Sequence, residues 1–212
     1  MKKSLSEMSQ AVSAQARCGD PEPLLLIEEA HALQLELCDL LECLADSLPD
    51  RFSRGIACVA ASLLRQSFDT HQRLEEAKLF PLLRRRAAQG SPIALIVDRL
   101  EDEHAADQDL ASELADELQL LADTGIARNP EMLGFMLRGF FQSQRRHIGW
   151  ESTVLLPLAR QTLQEEDLVE LQSWIMSSAR PACAKYSVAA IERLNSGPGA
   201  CRVCPSCSGS VN

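Results

Sequence analysis

Basic charge is scarce in this chain: 21 Lys and Arg stand against 30 Asp and Glu, giving a formal net charge of -9 and a pI near 5.0. Nucleic acid and anionic membrane surfaces call for clustered cations, so neither is expected as a partner. The one basic run, Arg84-Arg85-Arg86, is expected in the last turn of a helix, where cations complement the helix dipole. Long apolar runs are missing too. Nothing approaches the roughly 18 continuous apolar residues of a membrane span. The first twenty residues hold two lysines with no apolar segment behind them, a poor secretory signal. Alternating β-branched runs are absent, which excludes sheet. Nucleophile motifs and Gly-rich phosphate loops are absent as well, and the one tyrosine, Tyr186, lies off the expected core. These absences leave a cytoplasmic protein as the expectation. Its eight cysteines fit as reduced thiols, with Cys38, Cys43 and Cys58 inside amphipathic helices as small hydrophobes.

What is present is helical periodicity. Residues 1–20 are polar and aperiodic, as in a disordered segment. A first helix from about Glu22 to Leu48 spaces Leu24, Ile27, His31, Leu35, Cys38, Leu41, Ala45 and Leu48 by threes and fours, and Pro49-Asp50 stops it. A second, from about Phe52 to Ala88, carries Ile56, Leu63, Leu64, Phe68, His71, Glu75, Leu79 and Leu82, with Pro81 expected to bend its last turns. Ser91-Pro92 opens a third, with Ile93, Ile96, Leu100, His104, Ala111, Leu114 and Leu121 inward, which Thr124-Gly125 ends. Asn129-Pro130 opens a fourth, with Leu133, Met136, Phe140, His147, Glu151, Val154 and Leu158 inward. Short connections make this an all-α, up-down-up-down four-helix bundle over 21–163. One or two further helices follow over 164–195, then a flexible Cys-rich tail over 196–212.

The chain has four histidines, and each long helix carries one of them on its apolar face. Consecutive antiparallel helices bring together residues equidistant from the turn between them. His31 and His71 straddle the Pro49-Asp50 turn, His104 and His147 straddle Thr124-Gly125-Ile126, and His71 and His104 straddle a point just before Gly90. All four imidazoles are therefore expected in one layer. The spacing His71-x-x-x-Glu75 with Leu79-Phe80-Pro81-Leu82 recurs as His147-x-x-x-Glu151 with Leu155-Leu156-Pro157-Leu158. Histidine and glutamate four apart share a helix face. An unpartnered buried carboxylate is costly, whereas four imidazoles and two carboxylates suit two first-row metal ions.

The order His31, His71-x-x-x-Glu75 before Leu-Phe-Pro, His104, and His147-x-x-x-Glu151 before Leu-Leu-Pro resembles the hemerythrin-like (HHE cation-binding) family, over about residues 22–162. The resemblance implies a four-helix bundle with a non-haem, oxo- or hydroxo-bridged pair of iron ions. His31, His71, His104 and His147 would be terminal ligands, and Glu75 and Glu151 bridges. Gln108 stands where oxygen-carrying hemerythrins place a second histidine on the third helix. The four-His, two-Glu set is more similar to the repair-of-iron-centres proteins, which are associated with nitric oxide stress and damaged iron-sulfur clusters.

In the tail, Cys201-x-x-Cys204-x-x-Cys207 sits among Gly, Pro and Ser. Three thiols at this spacing can wrap a soft metal or a cluster, or can simply oxidise in a disordered tail. Two classes of function follow. One is a di-iron protein that binds or senses dioxygen or nitric oxide in oxidative, nitrosative or iron stress. The other is an iron donor or reductase in the repair of iron-sulfur centres, with the tail cysteines handing over to a redox or iron-sulfur partner. Iron storage and a zinc-filled structural bundle are the bland alternatives.

Overall fold

The computed structural model describes residues 22–65 and 69–177. Helix α1 spans Pro23–Ser47. A second rod comprises α2 (Arg54–Leu63), α3 (Asp69–Leu74), a π-helical turn Glu75–Leu79 and α4 (Phe80–Arg86). The third rod is α5 (Ile93–Thr124). The fourth comprises α6 (Pro130–Trp150), a second π turn Glu151–Leu155 and α7 (Leu156–Thr162), and α8 (Glu165–Ser177) follows. Among the described residues there is no strand, and no helix is long and apolar enough to cross a membrane. The chain is the expected all-α bundle: α1 packs on α6 and α2 on α5, with α1–α2 and α5–α6 contacts closing the square.

The turn chemistry sets these boundaries. The Ser53 hydroxyl accepts the Ile56 N–H and the Asn129 side chain accepts the Met132 N–H, each satisfying a free donor of a first helical turn. Gly125 ends α5 in the left-handed conformation at φ 73°, which favours glycine, and its N–H returns to the Leu121 carbonyl. Arg54 then donates to the Ala122 and Asp123 carbonyls, placing a cation on the negative end of α5.

The core is in two parts. Leu41, Leu44, Ile56, Leu114, Leu118, Leu137 and Phe140 pack at the end holding the α1–α2 and α5–α6 turns. Leu24, Ile27, Leu79, Phe80, Leu83, Leu100 and Leu156 pack at the other end, where Leu171 of α8 joins them. Each fully buried side chain of this size stabilises the fold by about 1.5–3 kcal/mol. Between the two lies a polar slab: His31, Gln34, His71, Gln72, Glu75, His104, Asp107, Gln144, His147 and Glu151 are all buried.

Several sequence expectations are corrected. Leu35 and Val154 are exposed, at 38% and 37%, and the inward positions belong to Gln34 and Leu155. Apolar character favoured Leu35 over Gln34, but helix register turns the glutamine in; at 154 the π turn shifts the phase by a residue. Cys38 and Cys43 are buried as expected, whereas Cys58 is exposed. Phe68 lies outside the described residues.

The basic run does more than complement a dipole. Arg84 binds Asp98 and Glu101 of α5, while Arg85 and Arg86 reach Glu166, Asp167 and Glu170 of α8. Asp167 is fully buried and also accepts the Gln164 N–H at 2.9 Å, the reciprocal half of a capping box. Burial alone would raise its carboxyl pKa, but Arg86, the Gln164 amide and Arg85 outweigh it and hold the group well below the usual carboxylate range. Asp167→Ala should therefore open α8 by about 2 kcal/mol. Hydrogen exchange of the α8 amides, and cleavage at Leu163-Gln164 by a protease, should both accelerate while the bundle amides stay protected.

Candidate metal centre

Each of the six predicted residues reaches the centre of the slab. The four histidines are 1–6% exposed and both glutamates 0%. Glu75 and Glu151 each open a π turn, in which the N–H of Phe80 bonds back to the Glu75 carbonyl and that of Leu156 to the Glu151 carbonyl. Pro81 and Pro157 follow immediately. A proline lacks the N–H for the next helical bond and its ring crowds the carbonyl four residues back. A single widened turn ahead of each proline accommodates both facts, and such turns recur at functional sites.

Every Nε2 points into the cluster. His71 Nε2 lies 3.2 Å from Glu75 Oε2 and His31 Nε2 lies 3.2 Å from Glu151 Oε2. His147 Nε2 lies 3.1 Å from Glu151 Oε1, and His104 Nε2 lies 3.5 Å from Glu75 Oε2 and 3.9 Å from Glu151 Oε1. Yet Nε2 of His31 and His71 and all four carboxylate oxygens are buried without a hydrogen bond. The Nδ1 atoms face outward: His104 to Glu76 at 2.9 Å, His147 to Glu103 at 2.9 Å, and His31 to the Ser152 hydroxyl at 3.0 Å. A carboxylate only accepts, so His104 and His147 must donate from Nδ1, and in the neutral ring that leaves the Nε2 lone pair inward. These two lone pairs sit 3.1 Å apart. They repel unless a proton or a cation is shared.

Among the described residues, donor atoms within 4.8 Å of one another fall into two groups that could hold a metal ion: His31, His71, Glu75 and Glu151; and His104, His147 and Glu151. Orphaned buried oxygens and nitrogens, inward lone pairs and outer hydrogen bonds that fix each ring are what a metal site with an oriented outer shell requires. A family model, the hemerythrin HHE cation binding domain, matches residues 23–159. The chain belongs to the hemerythrin family. Comparison with curated proteins and with solved structures gave no match.

Within this hemerythrin domain, Gln108 does not face the cluster. It is exposed on α5 and lines a surface pocket. Its neighbour Asp107 is the buried residue, and Gln144 donates to it at 2.6 Å. Sequence reasoning missed the outer partners Glu76, Glu103 and Ser152. A signal was available, since each is the chain neighbour of a candidate ligand: Glu75, His104 and Glu151. The other predicted site, Cys201, Cys204 and Cys207, lies outside the described residues, as do Tyr186 and the later part, 178–195, of the helical extension expected over 164–195.

In the metal-free protein, protons take the place of ions. Burial works against the charge on His31, but Glu151 and Glu75 outweigh it and bring the imidazolium pKa up to about 9. Burial likewise opposes His147, and Glu151 with Glu103 raises it to about 9. Burial would raise Glu151, while His104, His147 and His31 hold it well below the ordinary carboxylate value. A histidine raised on folding stabilises the fold fully below its unfolded pKa of about 6.5 and loses that contribution as pH climbs through the folded value. The metal-free Tm should thus fall by about 5 °C or more between pH 6.5 and 9.5. Metal-loaded protein should hold its Tm over that range, which paired melting curves would test.

Proposed function

We propose that this hemerythrin domain holds two iron ions and binds or senses dioxygen or nitric oxide, as part of a cytoplasmic response to oxidative, nitrosative or iron stress. The carrying observation is the set of buried, unpartnered donors: Nε2 of His31 and His71 with all four oxygens of Glu75 and Glu151. His31, His71, His104 and His147 are the terminal ligands in this reading. Glu151 contacts all four histidines within 4.0 Å, and Glu75 contacts His31, His71 and His104. Each carboxylate thus faces both donor groups, as a bridge must. A donor set of imidazole and carboxylate suits iron, and membership of the hemerythrin family supports the choice. Ferrous iron supplies a site with affinity for diatomic ligands. The chain's own contribution is to fix the rings through Glu76, Glu103 and Ser152 and to keep the centre dry between two apolar clusters.

Anaerobic reconstitution should give two irons per chain by metal analysis, and dioxygen or nitric oxide should then change the visible absorption. A protein whose spectrum ignores both gases does not have this function. His71→Ala should lose half of the bound iron or more; two irons retained would remove His71 from the ligand set. The spacing of Cys201, Cys204 and Cys207 supports a second reading, delivery of iron or electrons to damaged clusters. Removing residues 197–212 should abolish transfer to an apo iron-sulfur protein if that reading holds, and should leave gas binding untouched.

A further inference from the structure

Helix α6 carries an aromatic ring on its outside: Phe135 is 73% exposed, whereas Phe80, Phe140 and Phe141 are buried. In the first turn of the same helix Met132 is 53% exposed. The row Leu133, Leu137, Phe140, Gln144 and His147 is buried, and opposite it runs a stripe of exposed residues, Glu131, Phe135, Gly139, Gln142 and Arg146, spaced four, four, three and four. That spacing holds them on one face of the helix. Two further features distinguish the stripe from an ordinary solvated face. Gly139 lies in the middle of α6, where glycine costs stability relative to alanine, yet a Cβ there would meet no atom within 4 Å, so packing within the chain does not call for it. An outward glycine leaves room for a second backbone to come close. The charges are also distinctive. Arg138 is engaged by Asp46, and Arg145 by Asp39 and Glu42. Glu131 and Arg146, of opposite sign at the two ends of the stripe, form no ion pair among the described residues, and the stripe between them is uncharged.

We infer that α6 is the interface with a second copy of this chain, the two α6 helices lying antiparallel about a two-fold axis that passes beside Gly139. The inference is independent of what the metal centre binds. A two-fold contact matches a surface to itself, so whatever one copy offers at one end the other must answer at the opposite end. This stripe meets that requirement. Glu131 of each copy falls opposite Arg146 of the other, giving two ion pairs about 22 Å apart along the axis at 1.5 Å per residue. Phe135 falls opposite Gln142 and leans towards its own N-terminus, over the aliphatic stem of the other copy's Arg146. Gly139 sits beside the axis, where the backbones are closest. A crossing angle of about 20° keeps both ends within reach of long side chains. A parallel pairing would instead set Glu131 against Glu131 and Arg146 against Arg146, so the charges also select the orientation.

The test is sedimentation equilibrium of the full chain from low micromolar to millimolar concentration. One helix per copy makes a contact at the small end of specific interfaces, so a monomer–dimer equilibrium with a Kd of roughly 10 µM is expected. Phe135→Ser should weaken it about tenfold or more, as removal of a central aromatic anchor does. Glu131→Arg alone and Arg146→Glu alone should each weaken it by about tenfold, and the double variant, which inverts both pairs, should return to within about threefold of the original Kd. Because the chain carries a net charge of -9, Glu131→Arg also lessens the general repulsion between copies, so weakening by that variant is the mark of a specific pair. Asp109→Arg, the same charge change at an exposed position of α5, should not weaken the dimer. All these positions are exposed, and each variant should keep the helical circular dichroism and Tm of the original chain. A chain that stays monomeric throughout overturns the inference and leaves the face to a different partner. A dimer that neither the single swaps nor Phe135→Ser weakens uses another surface and overturns it equally, as does a double variant as weak as the single ones.

Discussion

Two carboxylates at zero exposure, set between apolar clusters with no hydrogen bond to either oxygen, are the constraint around which this bundle is organised. A buried carboxylate without compensation neutralises or destabilises the fold. Here four imidazoles surround the pair, and each can bring either a proton or a metal lone pair. The same atoms thus solve the folding problem in the metal-free chain and the coordination problem in the loaded one. Metal uptake and proton release are linked by construction.

The surrounding structure keeps that arrangement from relaxing. The π turns at Glu75 and Glu151, made by prolines six residues after each glutamate, hold the carboxylates at one height and place Glu76 and Ser152 beside histidines of neighbouring rods. Phe80 stacks on His104 with ring centroids 5.7 Å apart, so an apolar residue of the far cluster also fixes a ligand ring. Farther out, Arg145 joins α6 to Asp39 and Glu42 of α1, and Arg85 and Arg86 draw α8 over the end of the bundle. Partly exposed pairs contribute little individually to stability. Their value here is in fixing how the rods are aligned, because a shift of one rod by a turn would take its donor out of the layer.

The sequence by itself determined a good deal. Threefold and fourfold spacing gave the helices; Asn129-Pro130 and Thr124-Gly125 gave their ends; the repeated His-x-x-x-Glu with a proline six residues past each glutamate picked out His71, Glu75, His147 and Glu151, and symmetry about the turns added His31 and His104. These signals are local or follow from antiparallel symmetry about a turn, which is why they could be read in one dimension. Tertiary structure alone decided the outer shell, the burial of Gln34 and Leu155 in place of Leu35 and Val154, and the engagement of the arginine run by α8. The physical reason is common to all three. Which side chain fills an inward position, and which carboxylate meets an imidazole, depends on the rotation and height of one rod against another, set by packing among residues far apart in the chain.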